Sequence, residues 1–210
     1  MGCDGSKNVQ ETKSTMDTKG RTKVGDHLEK PEDLTDWPLF GDDCHSLLKA
    51  ALTKDVWDEY KDKSDAAGVS FKQCIFSGCK NPDSHIGAYA GSMDSYTTFA
   101  KFFDKIIEDY HGHKPSDSHV SNMNASELSC PAFPEDEAAM ILSTRIRVGR
   151  NLAEFPLGPG VTKEQRDKIM EAVVEACGKF EGDLKGQFYP IEGMDETVRQ
   201  QLIDDHFLFL

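Results

Sequence analysis

The sequence predicts an α+β protein: a small all-helical N-terminal domain followed by the start of a sheet domain with covering helices. Three observations carry this reading. Apolar residues recur at helical spacing between residues 37 and 112. A stretch with three prolines, several serines and no periodicity follows, from His113 to Glu137. Beyond it, strand-like and helix-like segments alternate as far as Leu210.

Residues 1–36 hold few large apolar side chains and many Lys, Thr, Asp and Gly. Such a segment cannot offset its conformational entropy by burial, so it reads as a disordered tail. Its start, Met1-Gly2-Cys3-Asp4-Gly5-Ser6, fits the pattern for N-myristoylation at Gly2, and Cys3 beside it suits palmitoylation. Two acyl chains anchor a protein to a membrane stably, whereas one holds it marginally. The plain alternative is a disordered start that happens to match.

In residues 37–112, Leu47, Leu48, Leu52, Val56 and Tyr60 recur at helical spacing, and Thr53 is placed to cap the helix carrying Trp57. Ser70 opens a short helix with Phe71, Cys74 and Ile75, which Gly78 is expected to end. Asp94 opens a longer one. Its stripe runs from Tyr96 through Phe99, Phe102, Phe103 and Ile106 to Tyr110, with Gly112 at the C′ position. Between these helices, Asn81 to Gly91 carries Pro, Gly and small polar residues and reads as a loop. A loop held on a rigid scaffold often carries specificity; a plain surface connection is the alternative.

After the linker at residues 113–137, Ala139-Met140-Ile141-Leu142 leads into Ser143-Thr144-Arg145-Ile146-Arg147, which reads as an extended strand. Side chains alternate along a strand, so Ser143, Arg145 and Arg147 share one face, and Thr144, Ile146 and Val148 the other. A rise of about 3.3 Å per residue puts the guanidiniums roughly 7 Å apart. That spacing suits neighbouring phosphates, which guanidinium forks grip bidentately. From spacing alone, a phosphate clamp and a solvated basic edge are equal readings. Thr162-Lys163-Glu164-Gln165 forms a capping box for a helix with Ile169, Met170, Val173, Val174 and Cys177 on one side and Gly178 or Gly182 near its end. Phe188-Tyr189-Pro190 reads as a short strand, and Asp195 caps a helix with Val198, Leu202 and Ile203. A strand is expected to begin at Asp204, with His206 in parity with Leu208 and Leu210. Taken alone, His206 reads first as a satisfied core or edge histidine.

Composition narrows the function classes. A net charge of −13 argues against non-specific nucleic-acid binding, which needs a basic surface. No run approaches the roughly 18 apolar residues of a membrane helix, and no signal-peptide core follows Met1. The six cysteines are scattered without metal-ligand spacing, so free thiols in a reducing, cytoplasmic compartment and no zinc site are expected.

Four segments together resemble the phosphagen (guanidino) kinases, and among them the arginine kinases. They are Asn81 to Tyr89, Phe103 to Gly112, Leu142 to Asn151, and Leu202 to Phe209. The likeness runs from about Asp43 to Phe209. It implies a small helical N-terminal domain and a larger catalytic domain built on a helix-flanked antiparallel sheet. The family's Ser-x-Arg-x-Arg motif binds nucleotide phosphates and falls on Ser143, Thr144, Arg145, Ile146 and Arg147; its Asp-Asp-His-Phe histidine joins that site and falls on His206. The loop that folds over the guanidino substrate falls on Ser84, His85, Ile86, Gly87, Ala88 and Tyr89, and the tyrosine that holds the amino-acid end of arginine on Tyr89. Asp83 matches an aspartate that stabilises domain closure.

The implied reaction is reversible transfer of the ATP γ-phosphate to L-arginine, with ATP/ADP and Mg²⁺. Phosphates and water hold most of such a Mg²⁺, so no protein metal ligand is assigned. His85 and Ala88 depart from the glycine and aliphatic residue common in arginine kinases, which leaves taurocyamine, lombricine and creatine as alternative substrates. The resemblance places the acidic residues that orient the guanidinium, the reactive cysteine and further phosphate-binding arginines after position 210, and Leu210 replaces a usually polar residue. No catalytic residue is therefore assigned within these 210 residues. They read as an N-terminal portion with a truncated catalytic domain, inactive alone. The competing class is a non-catalytic, membrane-tethered module. Expected partners are the guanidino compound and, through an acylated start, a membrane near flagellar or ciliary motors, with no nucleic acid.

Overall fold

Local capping chemistry sets most helix starts. The computed structural model describes residues 21–142, 144 and 149–208. The acylation signal at Gly2 and Cys3 and the strand residues Ser143, Arg145, Ile146 and Arg147 lie outside them. Helix α1 spans Leu47–Ala51 behind an N-cap at Ser46, and α2 spans Lys54–Tyr60 behind Thr53, whose hydroxyl accepts from the Val56 N–H at 3.3 Å. Helix α3 covers Phe71–Lys80; Ser70 and Gln73 form a reciprocal capping box at its start. The expected long helix from Asp94 is broken at Phe99 into α4, Ser95–Thr98, and α5, Ala100–His111. Gly112 ends α5 in the left-handed conformation, as its C′ reading requires.

Two findings correct the sequence reading here. Helix α3 continues through Gly78 to Lys80; that glycine serves a close contact described below, not a helix end. Residues 21–36, read as part of a disordered tail, pack onto the helices. Thr22–Lys23 (β1) pairs in parallel with Pro38–Leu39 (β2), and Thr22, Leu28 and Leu34 are buried. The segment also satisfies one α3 carbonyl: the Gly25 N–H donates to the Cys79 carbonyl at 2.8 Å, while Lys80 Nζ donates back to the Leu28 carbonyl at 2.6 Å. A few buried residues and these bonds order a stretch whose average composition is poor in apolar side chains.

The core centres on aromatic rings from three elements. Tyr60, Phe71, Phe99 and Phe102 meet at centroid distances of 5.1–5.4 Å, tilted or edge-to-face. Helix α1 packs on α5, and Leu48, Trp57 and Ile75 complete the buried set. Cys44, Cys74 and Cys79 are buried free thiols, and Cys130 and Cys177 exposed ones.

The chain divides into two compact units, residues 1–161 and 162–210. Residues 114–142 are exposed, with only a 3-10 turn at Ala125–Glu127 and a short helix α6, Glu135–Ala138. In the second unit, α7 spans Lys163–Cys177 behind the expected Thr162–Gln165 capping box. Helix α8 spans Glu196–Asp204, capped by Asp195, which accepts from the Thr197 and Val198 N–H groups.

The strands expected at residues 188–190 and from Asp204 are not formed among the described residues. An extended segment becomes a strand only when a neighbour takes its backbone N–H and C=O groups. Asp204 instead ends α8, and His206 adopts φ 62°, the left-handed conformation usual for a helix-ending glycine. Its N–H donates to the Ile203 carbonyl, and the Phe207 N–H to that of Leu202.

Candidate substrate loop and its supports

The Ser84–Tyr89 loop is held from both ends. On the amino side, the His85 and Ile86 carbonyls accept from the Leu47 and Leu48 N–H groups, each at 2.9 Å. These are the first two amides of α1, which have no partner within the helix. The third, from Lys49, goes to the Ser46 hydroxyl at 3.2 Å. The helix start and the loop thus complete each other's hydrogen bonding. On the carboxyl side, the Tyr89 N–H donates to the Cys74 carbonyl of α3 at 2.8 Å.

In the middle, Gly87 turns with φ 77° directly over α3. A Cβ on Gly78 would come within 2.1 Å of the Gly87 carbonyl oxygen, and one on Gly87 within 3.1 Å of Leu48 Cβ. Both positions therefore need glycine. The side chains divide accordingly: Ala88 and Gly87 are buried, Ser84 and Ile86 half-buried, His85 and Asp83 exposed, and Tyr89 44% exposed. The His85 ring stands edge-on to Tyr110 at 6.0 Å.

A cavity of about 820 Å³ opens beside this loop. Ile86, Ala88 and Tyr89 line one side and Phe103 and Tyr110 another. Its size lies within the range of small-molecule sites, and Tyr89 is an exposed residue of its lining.

Behind the loop stem sits a buried carboxylate. Asp65 accepts from the Ser92 hydroxyl at 2.7 Å, the Ser95 hydroxyl at 2.5 Å, and the Val69 and Ala67 N–H groups at 2.9 and 3.0 Å. Ser95 Oγ in turn accepts from the Gly91 and Ser92 N–H groups at 3.2 and 3.1 Å. Burial alone would raise the Asp65 pKa; the hydrogen bonds from Ser95, Ser92, Val69 and Ala67 outweigh it and hold the carboxyl below its ordinary value. Burial raises the Cys74 thiol beside this cluster, keeping it protonated. The sequence reading missed this support. The Asp65-to-Gly68 turn is a recognisable Asx pattern, but nothing local links it to Ser92 and Ser95.

Of the other expected site residues, Thr144 is exposed and His206 is an exposed residue of the second unit. Among the described residues, no cluster of His, Cys, Asp and Glu is arranged to hold a metal ion.

Residues 42–108, which contain the loop, α3 and most of α5, match the family "ATP:guanido phosphotransferase, N-terminal domain". An arginine kinase from Anthopleura japonica is 42% identical over 207 residues, covering 98% of this chain and 27% of that protein. Arginine kinase Lit v 2.0101 from Penaeus vannamei is 44% identical over 168 residues, covering 80% of this chain and 47% of that protein. Among solved structures, lombricine kinase superposes with a TM-score of 0.69 at 25% identity, covering 87% of this chain and 49% of that one. The substrate-free duplicated taurocyamine kinase from Schistosoma mansoni superposes with a TM-score of 0.66 at 33% identity, covering 81% of this chain and 24% of that one. The chain thus spans half or less of the length of these relatives. Residues 42–108 therefore match the N-terminal domain of the ATP:guanido phosphotransferases, and the chain as a whole is similar to the N-terminal portion of phosphagen kinases.

Proposed function

We propose that this chain supplies the guanidino-substrate loop and the first phosphate-binding strand of an ATP:guanidino phosphotransferase whose substrate is L-arginine. The observation that carries this reading is the loop itself. Ser84 to Tyr89 lies inside the family-matched segment, is fixed at both ends and borders a cavity of small-molecule size. L-Arginine is favoured because the relatives at 42–44% identity are arginine kinases. The taurocyamine and lombricine kinases that share the fold keep those guanidino compounds as the second reading.

Phosphoryl transfer asks little covalent chemistry of a protein; positioning and charge neutralisation do most of the work. In this proposal the loop supplies positioning. Its backbone is bonded at both stems, so little further ordering is needed when Tyr89 closes on the amino-acid end of the substrate. Arg145 and Arg147 supply charge, each as a fork on phosphate oxygens, with Ser143 adding a hydroxyl and His206 joining the nucleotide site. In this proposal Asp83, exposed at the start of the loop, takes a basic partner on closure. Mg²⁺ bound to ATP would neutralise phosphate charge. The guanidinium-orienting acidic residues belong, by the resemblance, to a later part of the family's sequence, so the 210-residue polypeptide alone is expected to bind without turnover.

One test separates the two sites. Arg145→Ala in the complete gene product is expected to weaken MgATP binding by about 10- to 100-fold, the worth of a charge-assisted hydrogen-bonded pair. L-Arginine affinity, measured by calorimetry on the same variant, should stay within about twofold, well under the tenfold that 1.4 kcal/mol makes. Unchanged nucleotide affinity would remove the clamp assignment.

We further propose that Gly2 and Cys3 are acylated and tether the protein to a membrane in the cytoplasm, placing ATP regeneration beside flagellar or ciliary motors. No helix among the described residues is long and apolar enough to cross a membrane, so attachment would rest on the acyl chains. Gly2→Ala should move the protein from the membrane fraction to the supernatant. A wild type found wholly in the supernatant, with no acyl mass on Gly2, would contradict the tether.

A further inference from the structure

Within the first unit, residues 155–161 return from the exposed stretch to pack on the core. The Leu157 N–H donates to the Gly91 carbonyl at 2.9 Å, and the Leu157 side chain lies against the hydrophobic core. The chain then makes a 3-10 turn at Gly158–Gly160, closed by the Gly160 and Val161 N–H groups on the Leu157 carbonyl. Gly160 rests on the same Gly91 carbonyl. A Cβ there would come within 2.3 Å of that oxygen and 2.6 Å of Val69 Cγ2. Gly91 is equally confined from the other side, where a Cβ would come within 2.2 Å of Val69 Cγ1.

Gly91 is two residues beyond Tyr89. Its N–H is held by Ser95 Oγ, which Asp65 orients, and its C=O is held by Leu157. Both polar groups of this one peptide stem are therefore fixed, one from inside the domain and one by a segment more than sixty residues later in the chain. Leu157 and Pro159 also face the cavity that Tyr89 borders.

We propose that residues 155–161 form a positioning strap for the substrate loop. Leu157 donates to the Gly91 carbonyl and Gly160 packs against it, and through that stem they set Tyr89 beside the cavity and tune guanidino-substrate selection. The proposal rests on the reading of Ser84–Tyr89 as the guanidino loop.

Amide hydrogen exchange on the 210-residue chain tests the strap without any ligand. Gly160→Ala forces an added methyl against backbone, and Leu157→Ala removes the packing that seats the strap. Either is expected to speed exchange at Tyr89 and Gly91 about tenfold or more, while amides of α5 stay unchanged, because local opening need not follow global unfolding. Gly158→Ala, where an added Cβ meets nothing within 4 Å, should leave those amides as in wild type. In the complete gene product, Gly160→Ala should raise the KM for L-arginine about tenfold while kcat and the KM for MgATP stay within about twofold, the pattern of lost substrate positioning. It should also lower the preference for L-arginine over taurocyamine. Unchanged exchange at Tyr89 and Gly91 in both variants overturns the strap, and so does exchange that rises equally throughout α5. A wild type that phosphorylates no guanidino compound overturns the substrate reading instead, and the exchange data tell the two failures apart.

Discussion

Replacing Asp65 with alanine is expected to destabilise the first unit by about 4 kcal/mol, because it leaves two buried hydroxyls and two amides without their acceptor. The melting temperature should fall by about 10–15 °C for a unit of this size. Asp65→Asn should cost roughly half as much, since one side-chain oxygen can still accept from the Val69 and Ala67 N–H groups. The damage would not stay local. Ser95 loses the group that orients its hydroxyl, and with it goes the restraint on the Gly91 N–H behind Tyr89.

The same carboxylate gives a pH signature. Its folded pKa lies below the ordinary value, so the unfolded chain takes up the proton first as pH falls. Its contribution is complete above about pH 4, the unfolded carboxyl value, and is lost as pH drops through the folded value. Urea titrations at several pH values should therefore show a constant stability gap between wild type and Asp65→Asn from about pH 5 to 8, closing below about pH 4. A gap that widens on acidification would contradict the buried-carboxylate account.

Phe71→Ala is expected to be at least as damaging. Phe71 is fully buried at the first position of α3, and its ring contacts Tyr60, Phe99 and Phe102 at 5.4, 5.2 and 5.1 Å. Removing it opens a cavity between rings that cannot collapse without moving α2, α3 and α5, a change that costs about 3–5 kcal/mol. The lost ring pairs, one edge-to-face and two tilted, add about 1 kcal/mol. Equilibrium denaturation followed by far-ultraviolet circular dichroism should show the midpoint falling sharply or the helical unit failing to fold. A midpoint close to wild type would mean that this cluster is not the centre of the core.

The parts of the fold legible in the sequence are those that short-range chemistry decides. Thr53, Ser70, Thr162 and Asp195 cap their helices because an N-cap needs only an oxygen two or three residues before an orphan amide. The aromatic core followed from helical spacing. Gly78 was misread because a glycine that ends a helix and one that admits a neighbouring backbone look alike until the neighbour, Gly87, is placed. The Asp65 cluster was illegible because Ser92 and Ser95 lie 27 and 30 residues away in sequence. The packing of residues 21–36 was hidden by averaging Leu28 and Leu34 over a polar stretch. The strand readings near Tyr189 and His206 depended on backbone partners that no local pattern supplies.

The candidate site divides in the same way. The loop residues Ser84 to Tyr89 were found by their resemblance to the family, whereas their supports from α1, α3 and the 155–161 segment emerged only from the fold. Gly87 bridges the two, since its position in the motif and its contact with Gly78 reflect one requirement: the loop must lie flat on α3.

In the proposed function this loop serves phosphoryl transfer to a guanidino compound. A coupled assay of the complete gene product with MgATP, against L-arginine, taurocyamine, lombricine and creatine, tests it most directly. Reversible phosphorylation is expected, with the highest kcat/KM for L-arginine and loss of that preference on substitution of Tyr89 by alanine. Absence of transfer to every guanidino compound, from a protein shown to be folded, would contradict it.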